Sequence, residues 1–236
     1  MIFAEQSKIQ NQESKIKIML HPNSFKFLAQ LKTHNNKIWF DKHRDEYEEI
    51  RAGLISFVDE LIKEISKFDK NLSTLAPKSC IFRINRDVRF SKDKSPYKSN
   101  LAASFTDGGK KSPKAGYYFH IMPGDCFLGG GIWHPEPDAL KKVRQEIDYN
   151  AKDFIKIINK PSFKKIFGKL DEGDKMVNAP KEYSKDNPNL DLLKFKSYVF
   201  SASLTEADFL SMNGPKKVAA IFKELSPFIN FLNQAI

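Results

Sequence analysis

The apolar residues of this chain change their period twice along its length, and that change limits the folds open to it. Near the N-terminus, Phe25, Leu28 and Leu31 form one stripe of a short helix capped by Asn23 or Ser24, which ends at His34-Asn35-Asn36-Lys37. Tyr47, Ile50, Leu54, Phe57 or Val58, Leu61 and Ile65 then recur at i, i+3, i+4 spacing. They predict a long helix from an Asp41 N-cap to about Phe68. After a linker over Asn71–Pro77 the period drops to two. Cys80, Phe82, Ile84, Val88 and Phe90 share one parity and Arg83, Asn85, Asp87 and Arg89 the other, as in a half-buried strand.

The period of two continues through Leu101–Thr106 and Ala115–Met122, which read as a hairpin turning at Asp107-Gly108-Gly109-Lys110. A further strand runs from Cys126 to Leu128 and ends in Gly129-Gly130-Gly131. Helical spacing returns over Pro135–Asn159, with Pro137 in the first turn, and a short helix follows at Ser162–Phe167. Leu170–Asp191 is polar and rich in Pro, Asn and Asp, hence a long loop. Lys194–Leu204 alternates as a late strand. Thr205-Glu206-Ala207-Asp208 is a capping box ahead of C-terminal helices. Helices, clustered strands, then helices with one late strand predict an α+β fold: a mainly antiparallel sheet, a meander plus the late strand, packed against helices.

Length and composition set the frame for function. A chain of 236 residues with 41% hydrophobic content and 20 Phe suits one packed domain, expected over residues 19–236, with residues 1–18 as an extension before Met19. The formal net charge of +10 favours acidic partners: nucleic acid, phosphorylated metabolites or an anionic surface. Cys80 and Cys126 lie in apolar runs without metal-ligand spacing and read as buried thiols in a reducing compartment. No apolar run approaches the ~20 residues of a membrane span, and the first twenty residues hold no signal-peptide core. A cytoplasmic location is the expectation.

The densest chemistry lies between Lys78 and Lys98, where seven Lys/Arg stand against Asp87 and Asp93. Guanidiniums present planar forks that match phosphate or carboxylate in two-point contacts, so clustered arginines suit anion capture. On a regular strand Arg83, Asp87 and Arg89 face one side, and Arg86 alone falls on the apolar face. An unpaired buried guanidinium is too costly to tolerate, so the expectation is a bulge that turns Arg86 into a cleft shared with Arg83 or Arg89 and reached by His120. Pairing of Arg86 with a carboxylate is the other way to meet that cost.

The run also resembles a known family. Arg83, Arg86, Asp87, Arg89, Phe90, Asp93, Lys94 and Tyr97 fit the central motif of DUF2461, a bacterial family of unknown function. The resemblance extends to Asn35-Asn36-Lys37-Ile38-Trp39-Phe40, Gly116-Tyr117-Tyr118-Phe119-His120, Gly129-Gly130-Gly131-Ile132-Trp133 and Leu192-Leu193-Lys194-Phe195-Lys196-Ser197. It implies membership and the place of a site, not a reaction.

Three readings of the run follow. The leading one is a basic pocket that binds, with or without converting, an anionic, phosphate-bearing small molecule. Arg83, Arg86, Arg89, Lys94, Tyr118 and Lys196 are its binding candidates, and Asp87, His120 and Tyr97 its titratable catalytic candidates. The alternatives are a nucleic-acid-binding module, which uses the same charge but shows no recognition helix, zinc finger or RNP motif, and a structural domain closed by an internal Arg-Asp network. No metal ligands are assigned: His134-Pro135-Glu136 with Asp125 lacks metal-site spacing. The glycine run matches neither a phosphate-binding loop nor a dinucleotide fingerprint, and no motif names a cofactor or an oligomeric state.

Overall fold

Four antiparallel strands in the order of the chain make the sheet: β1 Leu101–Phe105, β2 Gly116–Ile121, β3 Cys126–Ile132 and β4 Tyr198–Leu204. A computed structural model describes residues 20–236, so the expected extension over residues 1–18 lies outside the described residues. Ten α-helices accompany the strands among those residues. The expected α+β class is what forms: a meander plus a late strand, with helices. By contact the chain divides into two compact units, and all four strands contribute residues to both.

The first unit holds the described residues up to Ser104, with Phe119–Phe127 and Ser203–Ala219. Its helices are α1 Ser24–Thr33, α2 Lys37–Lys42, α3 Arg44–Ile65, α4 Pro77–Cys80 and α9 Glu206–Leu210. The single helix expected from Asp41 is two. Asn36 caps α2 by accepting the Trp39 N–H at 2.9 Å, which starts a helix earlier and places Asp41 inside it. The chain then breaks at His43, whose Nδ1 lies 2.8 Å from the Trp39 carbonyl and whose ring stacks on Trp39 at 4.0 Å. The apolar stripe of α3 is the expected one, with Ile50, Leu54, Phe57, Val58, Leu61 and Ile65 buried. Phe57 meets Phe119 and Phe209, both centroids at 5.9 Å. The capping box forms as expected, Thr205 and Asp208 satisfying each other's backbone N–H groups at the start of α9.

The second unit holds Phe105–Tyr118, Leu128–Ala202 and Ala220–Ile236. It includes α5 Pro137–Tyr149, α6 Ala151–Ile158, α7 Pro161–Phe167, α8 Leu190–Leu193 and most of α10 Gly214–Asn233. Its core is aromatic: Phe154, Phe163, Phe200 and Phe228 are buried and meet edge-on or tilted. Pro227 lies inside α10 and cannot donate to the carbonyl four residues back; the Ser226 hydroxyl donates to that Lys223 carbonyl instead, at 2.9 Å.

The glycine run does not end β3 but lies within it. A Cβ on Gly129 would stand 2.6 Å from the Phe200 carbonyl oxygen. Gly131 has φ +136°, and a Cβ there would overlap the Tyr198 carbonyl oxygen, so only glycine lets β4 approach this closely.

The long loop after α7 is pinned rather than loose. Asp171 donates its N–H to the Val199 carbonyl (3.1 Å) and Met176 to that of Lys194 (2.9 Å). Asp148 accepts the side-chain amides of Asn187 and Asn189 at 3.1 and 3.0 Å. Buried Arg144 donates to the Phe195 carbonyl at 2.9 Å. Buried Ser197 accepts the His134 N–H at 3.0 Å and donates to Asp174 at 2.8 Å, holding His134 at φ +46°. No helix among the described residues is long and apolar enough to cross a membrane.

Candidate functional site

The segment expected as a strand over Cys80–Phe90 is not one. Pro77 and Lys78 open the short helix α4, which ends at Cys80, and the chain leaves it extended but irregular. The arm pairs antiparallel with residues 96–103 through a bridge at Ile81–Ala103 and another at Asn85–Tyr97. Phe82 donates to the Ala102 carbonyl (3.0 Å), Lys98 to that of Ile84 (2.8 Å) and Arg86 to that of Pro96 (2.9 Å). The register slips between the first rung and the other two, because more residues separate Lys98 from Ala102 than Phe82 from Ile84. Beyond Arg86 side chains take over from the ladder. Asp87 accepts the Arg89 N–H at 3.3 Å and its guanidinium at 3.0 and 2.7 Å. Asp93 accepts the Ser95 N–H and hydroxyl at 2.9 and 2.6 Å. Such local bonds close turns and compete with strand pairing. The parity reading holds for Cys80 and Ile84, which are buried, and fails at Phe82 and Phe90, which are exposed, Phe90 at 96%.

Tyr97 is fixed from both sides. Its rung with Asn85 is made by neighbouring residues, which leaves its own N–H and C=O pointing away from the arm. The Asn35 side chain meets both, accepting the N–H at 3.0 Å and donating to the carbonyl at 2.9 Å. The Tyr97 ring stacks on Phe40 at 4.1 Å and 15°. An amide side chain from the α1–α2 junction thus substitutes for a neighbouring strand.

Between α3, α4 and this arm lies a cleft of about 380 Å³. Phe40, Tyr47, Ile55, Ile81, Phe82, Ile84, Asn85 and Tyr97 supply part of its lining. Its charge comes from Arg44, Arg51, Lys78 and Arg83 against the single carboxylate of Glu48. Arg44 donates to Asp41 at 2.6 Å and Arg51 to Glu48 at 3.5 Å. Lys78 and Arg83 make no ion pair among the described residues. The positions 44, 48, 51 and 55 lie on one face of α3, and that stripe was available in the sequence.

Arg83 and Tyr97 line the cleft, and the other expected site residues do not. Arg86 meets its burial cost through a carboxylate: it pairs with Asp93 and also donates to the Ser95 carbonyl at 3.3 Å and the Ser91 hydroxyl at 3.4 Å. The bulge that would bring Arg86 and His120 into one cleft does not form. Arg89 forks onto Asp87, and its exposed guanidinium holds that carboxyl below its ordinary range. Lys94 donates to the Val88 carbonyl at 3.0 Å. His120 stacks on Phe127 at 4.9 Å with the Asn100 amide 3.4 Å from its Nδ1, and burial lowers its pKa despite the opposing charge of Asp125. Tyr118 and Lys196 belong to the second unit; burial raises the Tyr118 pKa, and Lys196 is exposed. Asp93 titrates at about 2, first because Ser95 donates twice to it and then because of Arg86.

The sequence pattern of a conserved hypothetical family, DUF2461, matches residues 23–231. The chain belongs to that family. The match spans the cleft, the arm and the whole sheet, so DUF2461 describes both units and not the arginine run alone. No curated protein and no solved structure matches the chain. Among the described residues no group of three or more His, Cys, Asp or Glu side chains is placed to hold a metal ion.

Proposed function

We propose that this DUF2461 protein binds an anionic, phosphate-bearing small molecule in the cleft of the first unit. The observation that carries the reading is the charge of the lining: four cations against one carboxylate, with Lys78 and Arg83 in no ion pair among the described residues and only the more distant charge of Asp87 acting on Arg83. Like charges that line one cleft are stabilised by an anion, and guanidinium forks suit phosphate oxygens. Arg83 and Lys78 are the primary phosphate contacts, Arg51 and Arg44 the secondary ones, and the Tyr97 hydroxyl an added donor. Asp87 and His120 stand outside this lining, so the proposal is one of binding and assigns no chemical step.

Thermal unfolding in low salt with orthophosphate, a sugar phosphate and a nucleoside monophosphate tests it. A ligand at a hundredfold its Kd stabilises by about 2.7 kcal/mol, which raises the Tm of a chain this long by roughly 5–10 °C. The shift should vanish in Arg83→Ala and Lys78→Ala and shrink with added salt. No shift with any of the three compounds at millimolar concentration, or one that survives both substitutions, removes the proposal.

A further inference from the structure

The arm beyond the cleft carries a feature that anion binding in the cleft leaves unused. Between Arg86 and Pro96 the chain forms a finger, closed at its base by the Arg86 N–H on the Pro96 carbonyl at 2.9 Å. Across its middle, the Lys94 ammonium holds the Val88 carbonyl at 3.0 Å. Both acids of the finger are consumed internally, Asp87 by Arg89 and Asp93 by Ser95 and Arg86. The finger therefore has its own bonds, and what it displays is held in place.

It displays Phe90, 96% exposed and the most exposed large apolar side chain among the described residues. The Arg89 guanidinium carbon stands 5.8 Å from the centre of its ring. Lys92 is exposed and makes no ion pair among the described residues. A lone apolar residue on a surface is common; an aromatic ring at a braced tip, with Asp87-paired Arg89 beside it and exposed Lys92 two residues on, is a more specific arrangement.

We propose that this finger is a contact surface for single-stranded nucleic acid, with Phe90 as a base-stacking platform and Lys92 as its phosphate contact. An unpaired base offers a flat π-face to a ring and a phosphate to a neighbouring cation, the combination that strand-tracking proteins use. A duplex has its bases already stacked and offers the ring no face. A second copy of the chain brings its own net charge of +10 against this one. A bilayer rewards more apolar area than one ring, and the finger carries no amphipathic helix. This surface lies outside the cleft lining, and neither proposal requires the other.

Fluorescence anisotropy of the full chain with a labelled twelve-nucleotide oligothymidine, at low and rising salt, tests the inference. Single strands should bind more tightly than a duplex of equal length. Phe90→Ala should weaken binding by roughly fivefold or more, the loss of one stacked base, with no change in the salt slope. Lys92→Gln should reduce that slope by about 0.7, the loss of one phosphate contact on a single strand. Because Phe90 is solvated, Phe90→Ala should melt with the parent protein, so a loss of binding is not a loss of fold. No binding at tens of micromolar protein in low salt overturns the inference. So does binding that Phe90→Ala leaves within twofold, or Phe90-dependent binding to phosphatidylserine vesicles without binding to single strands. Failure of these arms leaves the thermal-shift result for the cleft untouched.

Discussion

Replacing Asn35 tests the central piece of geometry, because one side chain answers for both backbone groups of Tyr97. In Asn35→Ala the Tyr97 N–H and C=O each lose a bond of ordinary length at a partly buried position. A typical intramolecular hydrogen bond contributes ~0.5–1.5 kcal/mol net, and a buried group left unmade costs ~1–3 kcal/mol. Two groups that water reaches in part should together cost about 2–3 kcal/mol, a fall in Tm of roughly 4–12 °C for a chain of this length. Urea unfolding gives the energy, and exchange of the Tyr97 amide gives the locality. That amide should exchange roughly thirtyfold faster or more, from ~1.4 kcal/mol per factor of ten. Asn35→Asp separates the two bonds: it keeps the acceptor for the Tyr97 N–H but turns a carboxylate oxygen toward the Tyr97 carbonyl. It should be less stable than Asn35→Ala at neutral pH and recover as the carboxyl is protonated. A cost below about 0.5 kcal/mol for Asn35→Ala, or an Asn35→Asp protein as stable as its parent, would refute the two-bond reading.

Three other outcomes rest on single residues of the fold. Gly131→Ala should destabilise by ~3 kcal/mol or more in urea unfolding, since a Cβ meets the Tyr198 carbonyl and an L side chain is strained at φ +136°; wild-type stability would mean that β4 does not approach so closely. Asp93 has a folded pKa depressed to about 2, so its contribution to the finger is complete above the unfolded value near 3.9 and is lost as pH falls through about 2; the Ser95 amide resonance should follow that midpoint and not one near 4. His120 has its pKa lowered by burial, so the unfolded chain binds the extra proton first, and stability falls as pH drops below about 6.5 and is constant above it; an imidazole midpoint at or above 6.5 by NMR contradicts its half-buried position.

How far the sequence could be read depended on whether neighbours or distant residues decide a position. The stripe of α3, the capping box at Thr205 and the two hairpin strands are local patterns, and the structure keeps them. Alternation alone does not determine the arm, because local side-chain bonds compete with strand pairing there. Asp87 and Asp93 each sit two residues before a donor, the spacing of an Asx turn, and that spacing was legible. The partner of Arg86 is also local, seven residues on. The role of Asn35 was beyond local reading, since its partner lies sixty-two residues away and is a backbone. The same holds for the glycine run, where the requirement comes from the Tyr198 and Phe200 carbonyls of another strand. Of the site, Arg83 and Tyr97 are legible from charge density and motif, whereas Arg44 and Arg51 lie on a long helix outside the arginine run and carry no motif.

The outer strands of the sheet have a bearing on how this protein behaves at high concentration. An uncovered edge strand offers a row of free N–H and C=O groups on which another chain can add. Along β1 that row is interrupted by Ile81 and Phe82, and along β4 by Asp171, each an irregular segment unable to continue the ladder. Chains that lose this cover should associate edge to edge before they unfold, so turbidity would register a loosened arm earlier than circular dichroism does.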